Sequence, residues 1–106
     1  MLIDGYKFDL RLYVLLTSCD PLRIFLFKDG LVRICTKKYQ PPNSQNSKDS
    51  CIHLTNYSVN KHNENFVFNN NAKDDGIGNK RSLKWFFNVN KQLLIQFIFL
   101  GISSFN

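Results

Sequence analysis

The chain has 106 residues and a formal charge of +6, from 14 Lys and Arg against 8 Asp and Glu. That length admits one small domain at most and excludes a chain of several domains. The basic balance favours acidic partners such as nucleotides, nucleic acid or acidic protein tails, and an odd count of three cysteines argues against a paired disulfide framework.

The run from Lys7 to Leu16 alternates strictly. Phe8, Leu10, Leu12, Val14 and Leu16 share one face of an extended strand, and Lys7, Asp9 and Arg11 share the other. Charges of sign plus, minus, plus in successive same-face positions suit a polyanionic ligand held by two cations, with the carboxylate orienting them. Taken alone, the alternation favours a solvated outer face.

Thr17-Ser18-Cys19-Asp20-Pro21 follows as a turn, because the residue before proline is pushed out of the helical region. A second apolar run, Leu22 to Phe27, is broken only by Arg23 and meets Lys28-Asp29-Gly30, a strong hairpin signal. A third strand, Leu31 to Thr36, is predicted to complete an antiparallel meander, with Arg33 on the face opposite Val32 and Ile34. Such a sheet needs a layer over its Phe8, Leu10, Leu12 face, either a helix or a second sheet.

The middle of the chain is polar. Pro41 to Ser47 and the Asn-rich stretch Asn69 to Gly78 read as loops, the second as a flexible insertion. Between them, Cys51-Ile52-His53-Leu54-Thr55-Asn56-Tyr57-Ser58-Val59-Asn60-Lys61 presents a row of hydrogen-bonding side chains, with Asn60, Lys61 and Asn63 expected to cap or solvate a loop. Gly76-Ile77-Gly78 lacks the third glycine and preceding strand of a dinucleotide loop. His53 and His62 form no zinc signature with the thiols. With no secretory leader ahead of Asp4, Cys19, Cys35 and Cys51 are expected to be reduced intracellular thiols. Leu93 to Ile102 is strongly apolar but too short for a bilayer, which needs about 20 residues, so a buried helix or strand is expected, with a membrane-surface segment and a truncated or misread coding end as the alternatives.

The blocks KFDLRLYVLLTSCDPLRIFLFKDGLVR and CIHLTNYSVNKHNENF together resemble the tubulin tyrosine ligase-like family, in wording nearest its glutamylases. The likeness runs from about Ile3 to Lys80. It implies an α+β chain forming part of an ATP-grasp fold: an antiparallel meander with loops and little helix, incomplete as a domain. It implies ATP-dependent ligation, in which a carboxylate becomes an acyl phosphate and an amine attacks it. For a glutamylase the acceptor is an acidic tubulin tail and the incoming group is free glutamate. By the same resemblance Lys7, Phe8 and Asp9 are a nucleotide-contacting stretch, joined by Thr55 and Asn56, with His53 and Leu54 as weaker candidates. Arg11 and Arg33 are assigned to the catalytic cleft. Arg33 also meets the incoming amino acid with Tyr57, Ser58 and Lys80, and Arg81 or Lys84 are alternatives to Lys80. A guanidinium suits Arg33's role because its planar fork can hold a carboxylate with two parallel bonds.

The family's Mg2+ carboxylates are expected outside this chain, as is the other lobe, so residues 1–84 read as a central fragment and 85–106 as a divergent apolar tail. On this reading the fragment is inactive alone. Its partners are tubulin tails, microtubules and free glutamate, with no nucleic acid or membrane expected, and its location is cytoplasmic and cytoskeletal, the cilium and basal body included. Two alternatives stand beside it. One is a tyrosine or glycine ligase of the same family. The other is a non-catalytic basic module binding acidic tails or nucleic acid, against which Phe25, Phe27, Phe66 and Phe68 read as core rather than as a stacking platform.

Overall fold

The structure, a computed structural model, describes residues 1–71, 73–92 and 95. In chain order these form β1 (Tyr6–Arg11), β2 (Val14–Cys19), β3 (Leu22–Leu26), β4 (Leu31–Lys38), α1 (Ser50–His53), α2 (Tyr57–Asn60), β5 (Lys80–Ser82) and α3 (Leu83–Val89). The architecture is sheet-rich with little helix. Strands β1, β4 and β5 make one antiparallel sheet in that spatial order, and β2 and β3 make a separate two-stranded hairpin.

The predicted meander is therefore corrected. The alternating run does not continue as one strand. It pairs with β4 only as far as Arg11, opposite Leu31, and resumes at Val14 against Leu26. The turn at Asp20-Pro21 closes a hairpin as expected, whereas Asp29-Gly30 does not. Gly30 is buried beside the last residue of β1, and a Cβ there would run into the Arg11 carbonyl oxygen. The Asp29 carboxylate accepts from the Gly30 N–H at 2.7 Å. The dipeptide thus marks a close backbone approach between β1 and the entry to β4, a use of glycine that a hairpin signal resembles in one dimension.

The core lies on one face of the larger sheet. Val32 and Ile34 of β4 are buried against Leu83 and Phe86 of α3, with Phe8 and Leu10 packed alongside. The Phe8 and Phe86 rings sit 5.3 Å apart in a tilted arrangement. Helix α3 is the expected cover for the apolar face. Its start is set by Ser82, whose hydroxyl accepts from the Trp85 N–H at 3.0 Å, a serine N-cap. The boundary expected after Lys84 falls inside this helix. Burial of Leu83 and Phe86 contributes about 1.5–3 kcal/mol each.

On the opposite face, Cys35 and Thr36 are buried beneath the segment that carries α1 and α2. Asp49 caps α1 by accepting from the Cys51 N–H at 3.1 Å and also pairs with Lys37 of β4 at 2.7 Å. Asn60 is 1% exposed. Its side-chain oxygen accepts from the Thr36 N–H (3.0 Å) and hydroxyl (2.9 Å), and its amide donates to the carbonyls of Leu54 (2.7 Å) and Asn56 (3.0 Å). The expectation that Asn60 solvates a loop is overturned, because all four of its partners are protein groups. Asn79 seals the β4 edge similarly, donating to the carbonyls of Ile34 and Cys35.

One further expectation is corrected. Phe25, Phe27 and Phe68 are more than half exposed, not core: the β2–β3 hairpin of the first two has no layer packed on it among the described residues, and Phe68 lies outside the sheets, edge-on to Phe66. None of the three cysteines is in a disulfide. The apolar run Leu93–Ile102 lies outside the described residues apart from Ile95, which is exposed. No helix among the described residues is long and apolar enough to cross a membrane.

Candidate functional site

The register of the larger sheet assembles a polar row across three strands. Asp9 of β1 stands opposite Arg33 of β4, and Arg33 stands opposite Lys80 of β5. Antiparallel partners present their side chains to the same face, so the three groups are neighbours although 24 and 47 residues apart along the chain from Arg33. Lys7 and Arg11 flank Asp9 on the same face of β1.

Arg33 grips Asp9 with both arms of its fork: Nε donates to Oδ1 at 2.8 Å and Nη2 donates to Oδ2. This bidentate, charge-assisted pair is geometrically specific in a way a lysine could not match. The Asp9 carboxyl is held below its usual range, mainly by the Arg33 hydrogen bonds, against the opposing effect of burial, with help from the Thr55 hydroxyl and the Arg11 charge. Arg33 is raised in turn by the same hydrogen bonds. Both stay ionised, and the Asp9 carboxylate leaves the outer edge of the guanidinium, Nη1, unengaged among the described residues.

Thr55 reaches this row because Asn60 and Asp49 fasten its segment onto β4. It is buried, and the exposed Asn56 follows it as the N-cap of α2 with no side-chain capping bond. Cys35, just behind the face, donates to the Leu54 carbonyl at 3.3 Å, and burial pushes its thiol up to about 11. That environment makes an inert structural thiol.

Lys80 makes a second pair. Its ammonium lies 3.6 Å from the centroid of the Tyr57 ring, well inside cation–π range. Phe66 packs edge-on to Tyr57 at 5.7 Å, and Phe68 to Phe66 at 4.6 Å. A cavity of about 230 Å³ opens between these rings and Lys80. A wider concavity of about 700 Å³ lies at the far edge of β4, lined by Lys37, Lys38 and Arg81, and none of Asp9, Arg33 and Lys80 borders it.

The residues singled out from sequence sort accordingly. Asp9, Arg33 and Thr55 meet in one cluster, Lys80 and Tyr57 pair beside it, and Lys7, Arg11 and Asn56 border it exposed. Arg11 leans toward Tyr13, with its guanidinium 5.7 Å from that ring. Phe8 turns its side chain to the apolar face, where it packs on Phe86 of α3, because alternate residues of a strand face opposite ways, and its backbone borders the polar face. Ser58 is exposed on α2. His53 bonds through Nε2 to the Asn46 carbonyl at 3.1 Å, a loop-fastening role. The register sets Lys80, not Arg81, opposite Arg33; Arg81 stacks on Trp85 at 4.4 Å and donates to the Gly78 carbonyl. Lys84 is exposed on α3, beyond the core face.

Sequence reasoning missed Phe66 and Asn60. The short Tyr57–Phe66 separation offered no periodic signal, and in an Asn-rich stretch nothing one-dimensional distinguishes the buried asparagine from its exposed neighbours.

The chain is 60% identical over 85 residues to tubulin polyglutamylase TTLL7 of Xenopus tropicalis, which covers 80% of this chain and 9% of that protein. It is 57% identical over 82 residues to tubulin polyglutamylase TTLL13 of Mus musculus, covering 77% of this chain and 10% of that protein. Tubulin polyglutamylase ttll6 of Danio rerio is 55% identical over 85 residues, again with 80% and 10% covered. The chain thus spans about a tenth of the length of these relatives. The profile of the tubulin-tyrosine ligase family matches residues 1–103, through the polar row, the Thr55 segment and the core helix alike. The chain belongs to the tubulin-tyrosine ligase family.

Proposed function

We propose that this chain supplies one wall of the cleft in which an ATP-dependent ligase adds glutamate to the acidic tails of tubulin. The observation that carries the reading is the row Asp9–Arg33–Lys80, with Thr55 set against Asp9. The face holds four cations, Lys7, Arg11, Arg33 and Lys80, against one carboxylate, Asp9, a balance of +3. Of these cations Arg33 alone is in an ion pair among the described residues. An ATP-grasp architecture, with this sheet as part of one lobe, is included in the proposal.

ATP, when bound, supplies the phosphoryl group that turns a carboxylate into an acyl phosphate open to attack by an amine. The protein's part in such a transfer is positioning and charge neutralisation. Lys7 and Arg11 neutralise phosphate oxygens. Asp9, Thr55 and Asn56 offer acceptors and donors to the nucleotide, with the Phe8 backbone beside them. Arg33 stands between nucleotide and amino acid, its free Nη1 directed to an anionic oxygen, and Lys80 holds a carboxylate of the incoming glutamate. The described residues do not make a Mg2+ site, since no three His, Cys, Asp or Glu side chains cluster there and Asp9 is committed to Arg33. The proposal therefore gives none of these residues a role as metal ligand. Tubulin as partner, and with it a cytoskeletal location, follows from the activity named for the relatives.

Calorimetric titration of the chain with ATP tests this. Arg33→Ala is expected to weaken binding about 10- to 100-fold, as loss of hydrogen bonds to a charged group does. Lys28→Ala, which removes an exposed cation in the β3–β4 connection, is expected to change nothing. Equal losses at Arg33 and Lys28, together with steep salt dependence for any polyanion, would instead identify a module binding by charge alone.

A further inference from the structure

The aromatic group beside Lys80 is larger than a substrate contact needs to be. The resemblance assigns Tyr57 to the incoming amino acid. Its ring face lies against the Lys80 ammonium at 3.6 Å, with Lys61 at the edge of range, 5.6 Å from the same centroid. Phe66 and Phe68 pack behind Tyr57 in successive edge-on contacts. No carboxylate pairs with Lys80 among the described residues. An exposed lysine on a three-residue strand would otherwise sweep through many rotamers.

We propose that the ring face of Tyr57, buttressed by Phe66, is a positioning element that holds the Lys80 ammonium beside Arg33 as a two-cation receptor for an amino-acid carboxylate. The idea rests on the ligase reading above and adds to it a device for presenting the cation. A ring quadrupole attracts the ammonium without neutralising it, so the full charge and the N–H donors remain for an anion. A carboxylate partner in the same place would cancel that charge. The cavity of about 230 Å³ between Phe66, Phe68 and Lys80 can receive the methylenes of a small dicarboxylic amino acid while its carboxylate meets Lys80. Tyr57 acts through Lys80, and its hydroxyl has no part in the receptor.

The test is NMR of the full 106-residue chain titrated with L-glutamate, with ATP affinity measured in parallel. Wild type is expected to show ring-shifted Lys80 Hε protons and saturable glutamate shifts at Lys80 and Arg33. Tyr57→Phe keeps both, with affinity within twofold. Tyr57→Leu, and replacement of Tyr57 by pentafluorophenylalanine, which keeps the ring's shape and reverses its quadrupole, each weaken glutamate about two- to fivefold and leave ATP unchanged. The fluorinated chain also decides the matter should Tyr57→Leu misfold. The proposal is overturned if pentafluorophenylalanine binds glutamate like phenylalanine, if Tyr57→Phe loses as much as Tyr57→Leu, or if glutamate produces no saturable shift at Lys80. Those failures with ATP binding intact leave the ligase reading standing. Absent ATP binding with the glutamate shifts preserved refutes that reading and supports the receptor.

Discussion

Replacing Asn60 by alanine removes the fastening that carries Thr55 to the polar row. In the native chain the Asn60 oxygen satisfies both the Thr36 N–H and the Thr36 hydroxyl, and Thr36 is 4% exposed. Asn60→Ala strands these two buried groups at about 1–3 kcal/mol each, a loss of about 2–6 kcal/mol. The Leu54 and Asn56 carbonyls add little, because each accepts a second bond, from Cys35 Sγ and from the Val59 N–H. A water filling the vacated space would bring the loss toward the lower end. With a urea slope of about 2 kcal/mol/M, a loss of about 4 kcal/mol lowers the unfolding midpoint by about 2 M. Thr36→Val distinguishes this mechanism from simple cavity formation. It costs about 1 kcal/mol in the native background, and it is neutral or stabilising beside Asn60→Ala, where it deletes a stranded hydroxyl. An Asn60→Ala loss below about 1 kcal/mol, or strict additivity of the two substitutions, would refute the reasoning.

Gly30→Ala is expected to destabilise by about 1–3 kcal/mol in the same urea assay, since the new methyl meets the rigid Arg11 carbonyl rather than a movable side chain. The Asp9 carboxyl is depressed in the folded chain, so its pairing adds stability that is fully present above its ordinary value of 3.8 and is lost as pH falls through the lower folded value. The stability difference between the native chain and Asp9→Asn should accordingly be constant near neutrality and shrink below pH 3.8, as followed by acid titration of urea midpoints; a difference that grows on acidification contradicts the pairing. On the β2–β3 hairpin, Leu15→Lys with Phe25→Glu exchanges a cross-strand apolar pair for a charged one at exposed sites. Light scattering should show higher solubility with the urea midpoint nearly unchanged, and a lowered midpoint would mean that the hairpin packs on the body of the chain. Finally, the purified chain should show no ATP turnover with glutamate and tubulin in a phosphate-release assay, because the described residues make no metal site; sustained release would contradict that reading.

Local sequence determined a good deal here. Alternation placed Lys7, Asp9 and Arg11 on one face and Phe8 and Leu10 on the other, because the side-chain period of a strand is two whatever it pairs with. The two ordered blocks carried the family likeness that the profile match bears out. Partner choice was another matter. Whether β1 turns back on its neighbour or crosses to β4 depends on non-local pairing, and the decisive contact, Gly30 against the Arg11 carbonyl, looks like a hairpin turn in one dimension. Only that pairing set Asp9, Arg33 and Lys80 in register. Only packing against β4 separated the buried Asn60 from other polar residues of its segment. Residue types and their faces are local properties that the sequence states directly. The row, its fastening and the ring beneath Lys80 exist because distant strands share a backbone ladder, and that was decided by tertiary structure alone.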